Sequence, residues 1–574
     1  VLKTWLIRNL GPRFRGDERR HNIGFGLAHL LAASFLFAAP VQAAPIPGSG
    51  QIDPAQMSAT VKVLASDAFE GRAPGTEGET RTVQYLIARF QALGLQPGGD
   101  HGGWTQAVPL VHTQVGPATT LEITGLGAPI PLRQGEDIYI NTPHAVDRLT
   151  VRDAPLVFVG YGASAPERGW DDFKGVDLHG KIAVFLVNDP DFEALPTDPV
   201  FGKFGGKAMT YYGRWMYKYD EAARRGALGV LVVHETAGAG YPWSTVIAPQ
   251  GETYDVVRTL EDLQPTLLQG WMARPAAETL FRRAGLDFEA LKIAARRSDF
   301  YPVSLGAARL DADLPVTHSV VESRNVIAKI EGSTWPDQTV MYGAHWDAFG
   351  ATGPIIRHGA NDDALGVAGV LEIARAFKSN AQPPKRTVVF AIWTAEERGL
   401  FGSETYALHP LYPLAKTAAD FTIDVMQTAG PSRTVVLVGA GQDSLEDDLA
   451  REAAAQGRTV APDTHPERGL FYRADHFSLA KRGVPTLLLM ALGGGPDLID
   501  GGQAAGDKWV SDYTANCYHK ACDAWSATWD LRGAAQDVDL IYQAGRALAN
   551  SEAWPTWNAG SEFKAIREQS ASQR

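Results

Sequence analysis

Cysteine is nearly absent. Two in 574 residues, Cys517 and Cys522, are too few to frame a disulfide-stabilised fold. Positive charge is in deficit, with 53 Lys and Arg against 65 Asp and Glu for a net charge of −12, and no basic run follows the N-terminal region. Nucleic acid is therefore not an expected partner. Past residue 43 no apolar stretch is long enough to span a bilayer. There is no internal repeat and no low-complexity tract. What is present, 45% hydrophobic and 21% charged residues, reads as globular, and 574 residues suffice for two or more domains.

The first 43 residues stand apart. Arg13, Arg15, Arg19 and Arg20 precede an apolar run from Ile23 to Ala39, and Val41-Gln42-Ala43 forms a small-x-small cleavage pattern. The run, about 17 residues with Gly and His inside it, is short for a membrane span. This pattern predicts a secretory signal peptide over 1–43, a periplasmic or secreted protein, and no stable span after its removal. Residues 44–55 are small and Pro-rich, as in a linker.

Ala55 to Leu95 is patterned as helix; Thr82–Phe90 places apolar groups at i, i+3, i+4 and i+7, and Gly94 suits the stop. Residues 105–135 alternate as strands do. From about 140 to 315 the character changes. Leu156–Gly160, Lys181–Val187 and Gly229–Val233 read as strands without any ligand cluster, and Tyr219–Arg225 reads as helix. We expect an inserted module over 140–315. It divides a catalytic unit of 44–139 and 316–552, and a tail follows over 553–574. After Asn325, strands (Asn325–Ile330, Val340–His345, Arg386–Trp393, Phe421–Val425, Thr434–Val438, Val484–Met490) alternate with helices such as Ala364–Phe377 and Leu445–Ala455. That alternation predicts α/β architecture, a mostly parallel mixed sheet flanked by helices.

Acidic and His residues gather at the predicted strand ends. His345 and Asp347 follow Val340–Ala344, and Glu396 and Glu397 follow the run ending at Trp393. Asp424 sits in Phe421-Thr422-Ile423-Asp424-Val425, where an unpaired buried carboxylate would be expensive. Open parallel sheets gather ligands at the carboxyl ends of their strands. Asp362, just ahead of a helix, would in isolation be an N-cap; beside the other clusters it reads as a metal ligand. One carboxylate of the Glu396-Glu397 pair can hold a metal while the other takes a proton from the attacking water.

Five segments recur in this order in a known family: Gly343-Ala344-His345-Trp346-Asp347, Gly359-Ala360-Asn361-Asp362-Asp363, Glu396-Glu397-x-Gly399-Leu400-x-Gly402-Ser403, Ile423-Asp424 and Tyr518-His519-x-x-x-Asp523. The chain resembles the co-catalytic dizinc aminopeptidases, relatives of glutamate carboxypeptidase, glutaminyl cyclase and the transferrin receptor, over roughly 55–135 and 318–550. Val176-Asp177-Leu178-x-Gly180-Lys181-Ile182 and Ala222-x-x-x-Gly226-Ala227-x-Gly229-Val230 resemble a β-rich protease-associated (PA) domain, an insert common in that family.

The resemblance implies a zinc aminopeptidase/phosphorylase-hydrolase-like fold with two Zn²⁺. Asp362 would bridge them, His345 and Asp424 would complete one, and Glu397 and His519 the other. Glu396 would be general base toward water activated by the two metals. Asp347 would orient His345, and Asp523 would support the His519 loop. A cis peptide would follow Asp362. Tyr472, beside Phe471, would donate to the oxyanion. His476 competes with His519 as ligand. The Tyr-His-x-x-x-Asp match favours His519, leaving Asp475 and His476 behind the ligands or beside the substrate. Cys517 and Cys522 bracket His519; either could ligate zinc, and export favours their disulfide. Other histidines, including His112, His234 and His409, read as surface or structural, with His358 at the site mouth.

The implied activity is removal of N-terminal residues from peptides. Three alternatives compete with it. Glutaminyl cyclase-like acyl transfer is disfavoured by the full ligand set and the insert. A carboxypeptidase would need cations such as Arg357, Arg398 or Arg473 in its pocket. A non-catalytic receptor would have no use for the complete ligand set.

Overall fold

The computed structural model describes residues 51–574. The signal peptide expected over 1–43 and most of the linker lie outside the described residues. Among the described residues no helix is long and apolar enough to cross a membrane.

Strand Arg386–Trp393 lies within the catalytic sheet and all eight of its residues are buried. Its run of Val, Phe and Ile has no polar face because both faces are covered, as parallel α/β sheets require. It pairs in parallel with Trp335–His345, which pairs in parallel with Thr417–Ile423, which in turn pairs with Thr486–Leu489. On its other side it meets Val326–Ile330 antiparallel. The sheet is therefore mixed. Helices Leu365–Ser379 and Arg532–Ala549 pack against it and share its core with Met57, Leu86 and Phe90 of the two N-terminal helices, Pro54–Leu64 and Glu77–Ala92.

The strand Val303–Ile330 is 28 residues long and belongs to two sheets. Its first part pairs with Arg148–Phe158 and Thr120–Thr124, while its second part pairs with Thr105–Val115 and Arg386–Trp393. The expected boundary at 315 falls inside this strand. Residues 120–131, expected in the catalytic unit, instead join the second sheet, which continues through Ile182–Leu186, Gly229–His234, Leu268–Ala273 and Ile138–Asn141. Glu252–Val256 crosses back and pairs with Thr105–Val115. Among the described residues Thr434–Leu437 stays outside the main sheet and pairs only with Thr459–Pro462. Trp557 anchors the tail, burying its ring and donating its indole N–H to Gly483 O at 2.9 Å.

Candidate metal centre

Three parallel strands deliver their ligands to one edge. His345 is the last residue of its strand, Asp424 follows Ile423, and Glu396 and Glu397 follow Trp393. The turn after Trp393 depends on Ala395 at φ +53°, a left-handed conformation that a non-glycine residue adopts only under constraint. Asn325 Oδ1 accepts the Thr394 amide at 3.1 Å, and Ser323 Oγ lies 2.6 Å from Thr394 Oγ1. Gly402 lets the next helix, Phe401–Leu408, close on this turn. A Cβ there would meet Thr394 O at 2.3 Å.

Asp362 enters from the loop before helix Leu365–Ser379, and the Asp362–Asp363 peptide is cis. Asp523 holds this loop. Its carboxylate accepts the amides of Asn361 (2.9 Å) and Asp362 (3.1 Å) and the Tyr513 hydroxyl (3.2 Å). Asp523 thus supports Asp362 rather than the His519 loop, because its two oxygens are taken by the amides there. His519, at φ +61°, lies within the loop closed by the Cys517–Cys522 disulfide.

The side chains converge around Asp362. His345 Nε2 is 3.2 Å from its Oδ1 and His519 Nε2 is 3.3 Å from its Oδ2. Glu397 Oε2 is 3.2 Å from His519 Nε2, and Asp424 Oδ1 is 3.9 Å from His345 Nε2. Two trios, His345-Asp362-Asp424 and Asp362-Glu397-His519, each have donor atoms close enough to share one ion. Glu396 belongs to neither; its Oε2 stands 3.8 Å from His345 Nε2. His345 Nδ1 faces Asp347 O at 3.1 Å, which assigns the proton to Nδ1 and leaves Nε2 free as a ligand.

Burial, reinforced by neighbouring carboxylates, raises Glu396 and Glu397 well above the usual range and Asp424 to about 7. Burial would raise Asp362 too, but hydrogen bonds and charge from His345 and His519 hold it below normal. Against its own burial, His345 is pulled well up by Glu396, Asp347 and Asp362. Three carboxylates crowded together with two imidazoles among them form an N/O donor set that fits zinc.

One further expectation is corrected. Tyr472 is not at the centre: its hydroxyl donates to Glu562 Oε1 at 3.1 Å, and its ring packs against Tyr211 and Phe477. His476 is fully buried against Phe471, in neither metal trio and closed to substrate. Asp347 meets His345 Nδ1 with its carbonyl at 3.1 Å and a carboxylate oxygen at 3.5 Å, and the same carboxylate accepts the amides of Glu396 (3.0 Å) and Glu397 (3.3 Å). Asp475 is buried near Glu396 and pushed up to about 8 by burial.

Sequence reasoning missed two residues. The ring of Tyr518 lies 3.7 Å from the His519 ring, tilted against it, and its phenol is raised by burial with Asp362, Glu397 and Asp424 among its charged neighbours. Its signal was its place beside His519. Arg72 is fully buried and donates to Leu64 O, Trp346 O, His358 O and Gly359 O at 2.6–2.9 Å. It ties the loops carrying Asp347 and Asp362 to the N-terminal helices, and nothing local to its sequence signals this.

Two imidazoles and three carboxylates, with Asp362 common to both trios, form a candidate two-metal site at the carboxyl edge of the α/β sheet. Residues 325–542 match the model of peptidase family M28. Mouse aminopeptidase NAALADL1 is 37% identical over 108 residues, covering 18% of this chain and 14% of that protein. A probable glutamate carboxypeptidase AMP1 of Arabidopsis thaliana is 24% identical over 461 residues, covering 72% and 58%. Thus the chain spans about a seventh of the first relative and under two thirds of the second. An aminopeptidase from Aneurinibacillus sp. strain AM-1 superposes with a TM-score of 0.44 at 19% identity, covering 87% of this chain and 94% of that one. The Bacillus subtilis zinc aminopeptidase BSAP gives 0.40 at 16%, covering 89% and 99%.

Proposed function

We propose that this chain is an exported zinc aminopeptidase that hydrolyses N-terminal residues from peptides. The observation that carries the reading is Asp362, with one oxygen beside His345 and the other beside His519. Asp424 and His345 would hold one ion with it, Glu397 and His519 the other. Bound zinc supplies Lewis acidity that polarises the scissile carbonyl and makes water a nucleophile at neutral pH.

The protein side of the reaction falls to named groups. Glu396 is outside both trios, and its raised proton affinity suits it to take a proton from the attacking water and return it to the leaving amine. Asp347 fixes the Glu396 main chain. Tyr518, protonated throughout the working range, donates to the developing oxyanion. Residues 1–43 direct export, and the module of about 140–315 is a PA-like insert.

A peptide-library digest with zinc-loaded protein tests the reading. The expected result is stepwise loss of N-terminal residues, abolished in Glu396→Gln. Trimming that survives in that variant would remove Glu396 as the base. Cleavage only at C-termini would replace the aminopeptidase reading by a carboxypeptidase.

A further inference from the structure

His519 is the most exposed of the candidate ligands. Its side chain is 35% exposed, against 1% for His345. A metal-binding imidazole usually donates its second ring N–H to a carboxylate or carbonyl, and that bond fixes the ring. His345 has such a partner at Nδ1. Among the described residues the polar contacts of His519 run through Nε2, to Glu397 and Asp362. Packing is left to hold its ring. Tyr518 approaches to 3.7 Å and Phe349 to 4.7 Å between ring centres, both tilted.

Phe349 is itself held. Arg398, next in the chain to Glu397, sets its guanidinium over the Phe349 ring at 5.6 Å and over the Tyr254 ring at 5.2 Å. Both distances lie within the reach of cation–ring attraction. Tyr254 belongs to Glu252–Val256, the strand of the expected insert that crosses back to Thr105–Val115. Its register partner there is His112, and the two rings stack at 4.5 Å with 24° between their planes. Glu252 closes the set. Its Oε1 lies 2.9 Å from His112 Nε2 and accepts from the Tyr254 hydroxyl at 3.4 Å, while Oε2 is 3.8 Å from the Arg398 guanidinium. At that separation the carboxylate supplies charge but no hydrogen bond, and the two rings direct the guanidinium. An ordinary half-exposed ion pair between Arg398 and Glu252 would contribute little and would need neither ring. The contacts instead run without a gap from His112 through Tyr254, Arg398 and Phe349 to His519.

We propose that Tyr254, Arg398 and Phe349 are positioning residues that clamp the His519 ring by packing, so that a strand of the insert helps to hold the second metal. The proposal rests on Asp362, Glu397 and His519 binding an ion.

Two measurements on the full chain test it. The first needs no metal. In the zinc-free protein labelled with [¹³Cε1]-histidine, at one fixed pH, the His519 and His345 resonances are assigned by their absence in His519→Ala and His345→Ala. Phe349→Leu moves the His519 resonance, because a neighbouring ring current is gone, and Phe349→Tyr keeps it in place. Tyr254→Leu and Arg398→Met, neither of which removes a ring beside His519, move and broaden the same resonance while His345 stays where it was. The second measurement is zinc competition against a chelator. The equivalent that is missing from His519→Ala weakens about tenfold or more in Tyr254→Leu and Arg398→Met, the range for residues that support metal ligands. The other equivalent keeps its affinity, and Arg398→Lys, which retains the cation, recovers part of the loss. An unmoved His519 resonance in Tyr254→Leu and Arg398→Met overturns the clamp. So does equal movement of His345, which would mark a general structural effect, or wild-type affinity for both equivalents. A wild type that binds fewer than two zinc ions overturns the two-metal reading instead, and the zinc-free resonances then decide the clamp.

Discussion

The carboxylate of Asp347 accepts the main-chain amide of Glu396 at 3.0 Å, across 49 residues, while its carbonyl faces His345 Nδ1 at 3.1 Å. One residue therefore sets both an imidazole ligand and the backbone beneath the candidate base. Asp347→Asn keeps the shape but turns an amide N–H toward an amide N–H in at least one rotamer. We expect a loss of about 10–100-fold in activity or zinc affinity, the range for residues that support metal ligands. Steady-state kinetics with zinc titration reads it, and wild-type values in both would remove Asp347 from this role.

Arg72 binds four carbonyls from three separate segments. Arg72→Met would leave those acceptors buried and unpaired beside Asp347 and Asp362. The expected loss is about 3–5 kcal/mol of unfolding free energy. Arg72→Lys restores charge but not the fork of donors, and should recover less than half. Urea denaturation with matched m-values checks both, and a loss below about 1 kcal/mol, the value of one ordinary hydrogen bond, would contradict the assigned role.

The difference between Asp347 and Arg72 shows what a sequence can reveal. His345, Glu396, Glu397 and Asp424 were legible because a strand and the ligand at its end are neighbours in the chain, and a parallel sheet brings such ends to one edge. Arg72 acts on Gly359, 287 residues away, through carbonyls that have no side-chain signature. Tyr472 was misplaced for a related reason: a family-like segment carried the right residue type, but its hydroxyl is taken by Glu562. The strand Val303–Ile330 runs unbroken from one sheet to the other through Pro315, so the expected boundary at 315 falls inside one element.

Asp362 predicts how zinc is lost. Its two oxygens serve different trios, so the wild type should bind two equivalents per chain. His519→Ala and Asp424→Ala each remove a ligand from one trio and should retain about one equivalent, since three protein ligands are the usual minimum for a catalytic zinc. Asp362→Ala impairs both trios and should retain less than one. Atomic-emission counting after gel filtration reads these numbers. Two equivalents in His519→Ala would return His476 to consideration despite its burial.

His476 gives the pH dependence a separate test. Burial against Phe471 pushes its imidazole down to about 3, with only a partial opposing pull from the Phe471 main chain. The unfolded chain takes up a proton at this residue near pH 6.5, while the folded chain stays neutral until about pH 3. Folded affinity for the proton is the lower, so stability is full above pH 6.5 and is lost as pH falls toward 3. One residue contributes a slope of about 1.4 kcal/mol per pH unit across that window. His476→Leu, close in volume and without a titrating group, should therefore show a stability profile flatter than wild type by one proton between pH 6 and 4, whatever its stability at pH 7. Because metal-site carboxylates titrate in both proteins, the difference between the two urea-midpoint profiles isolates His476. Parallel profiles would mean that the imidazole is protonated in the folded state, which would require an anionic partner that the packing around Phe471 does not supply.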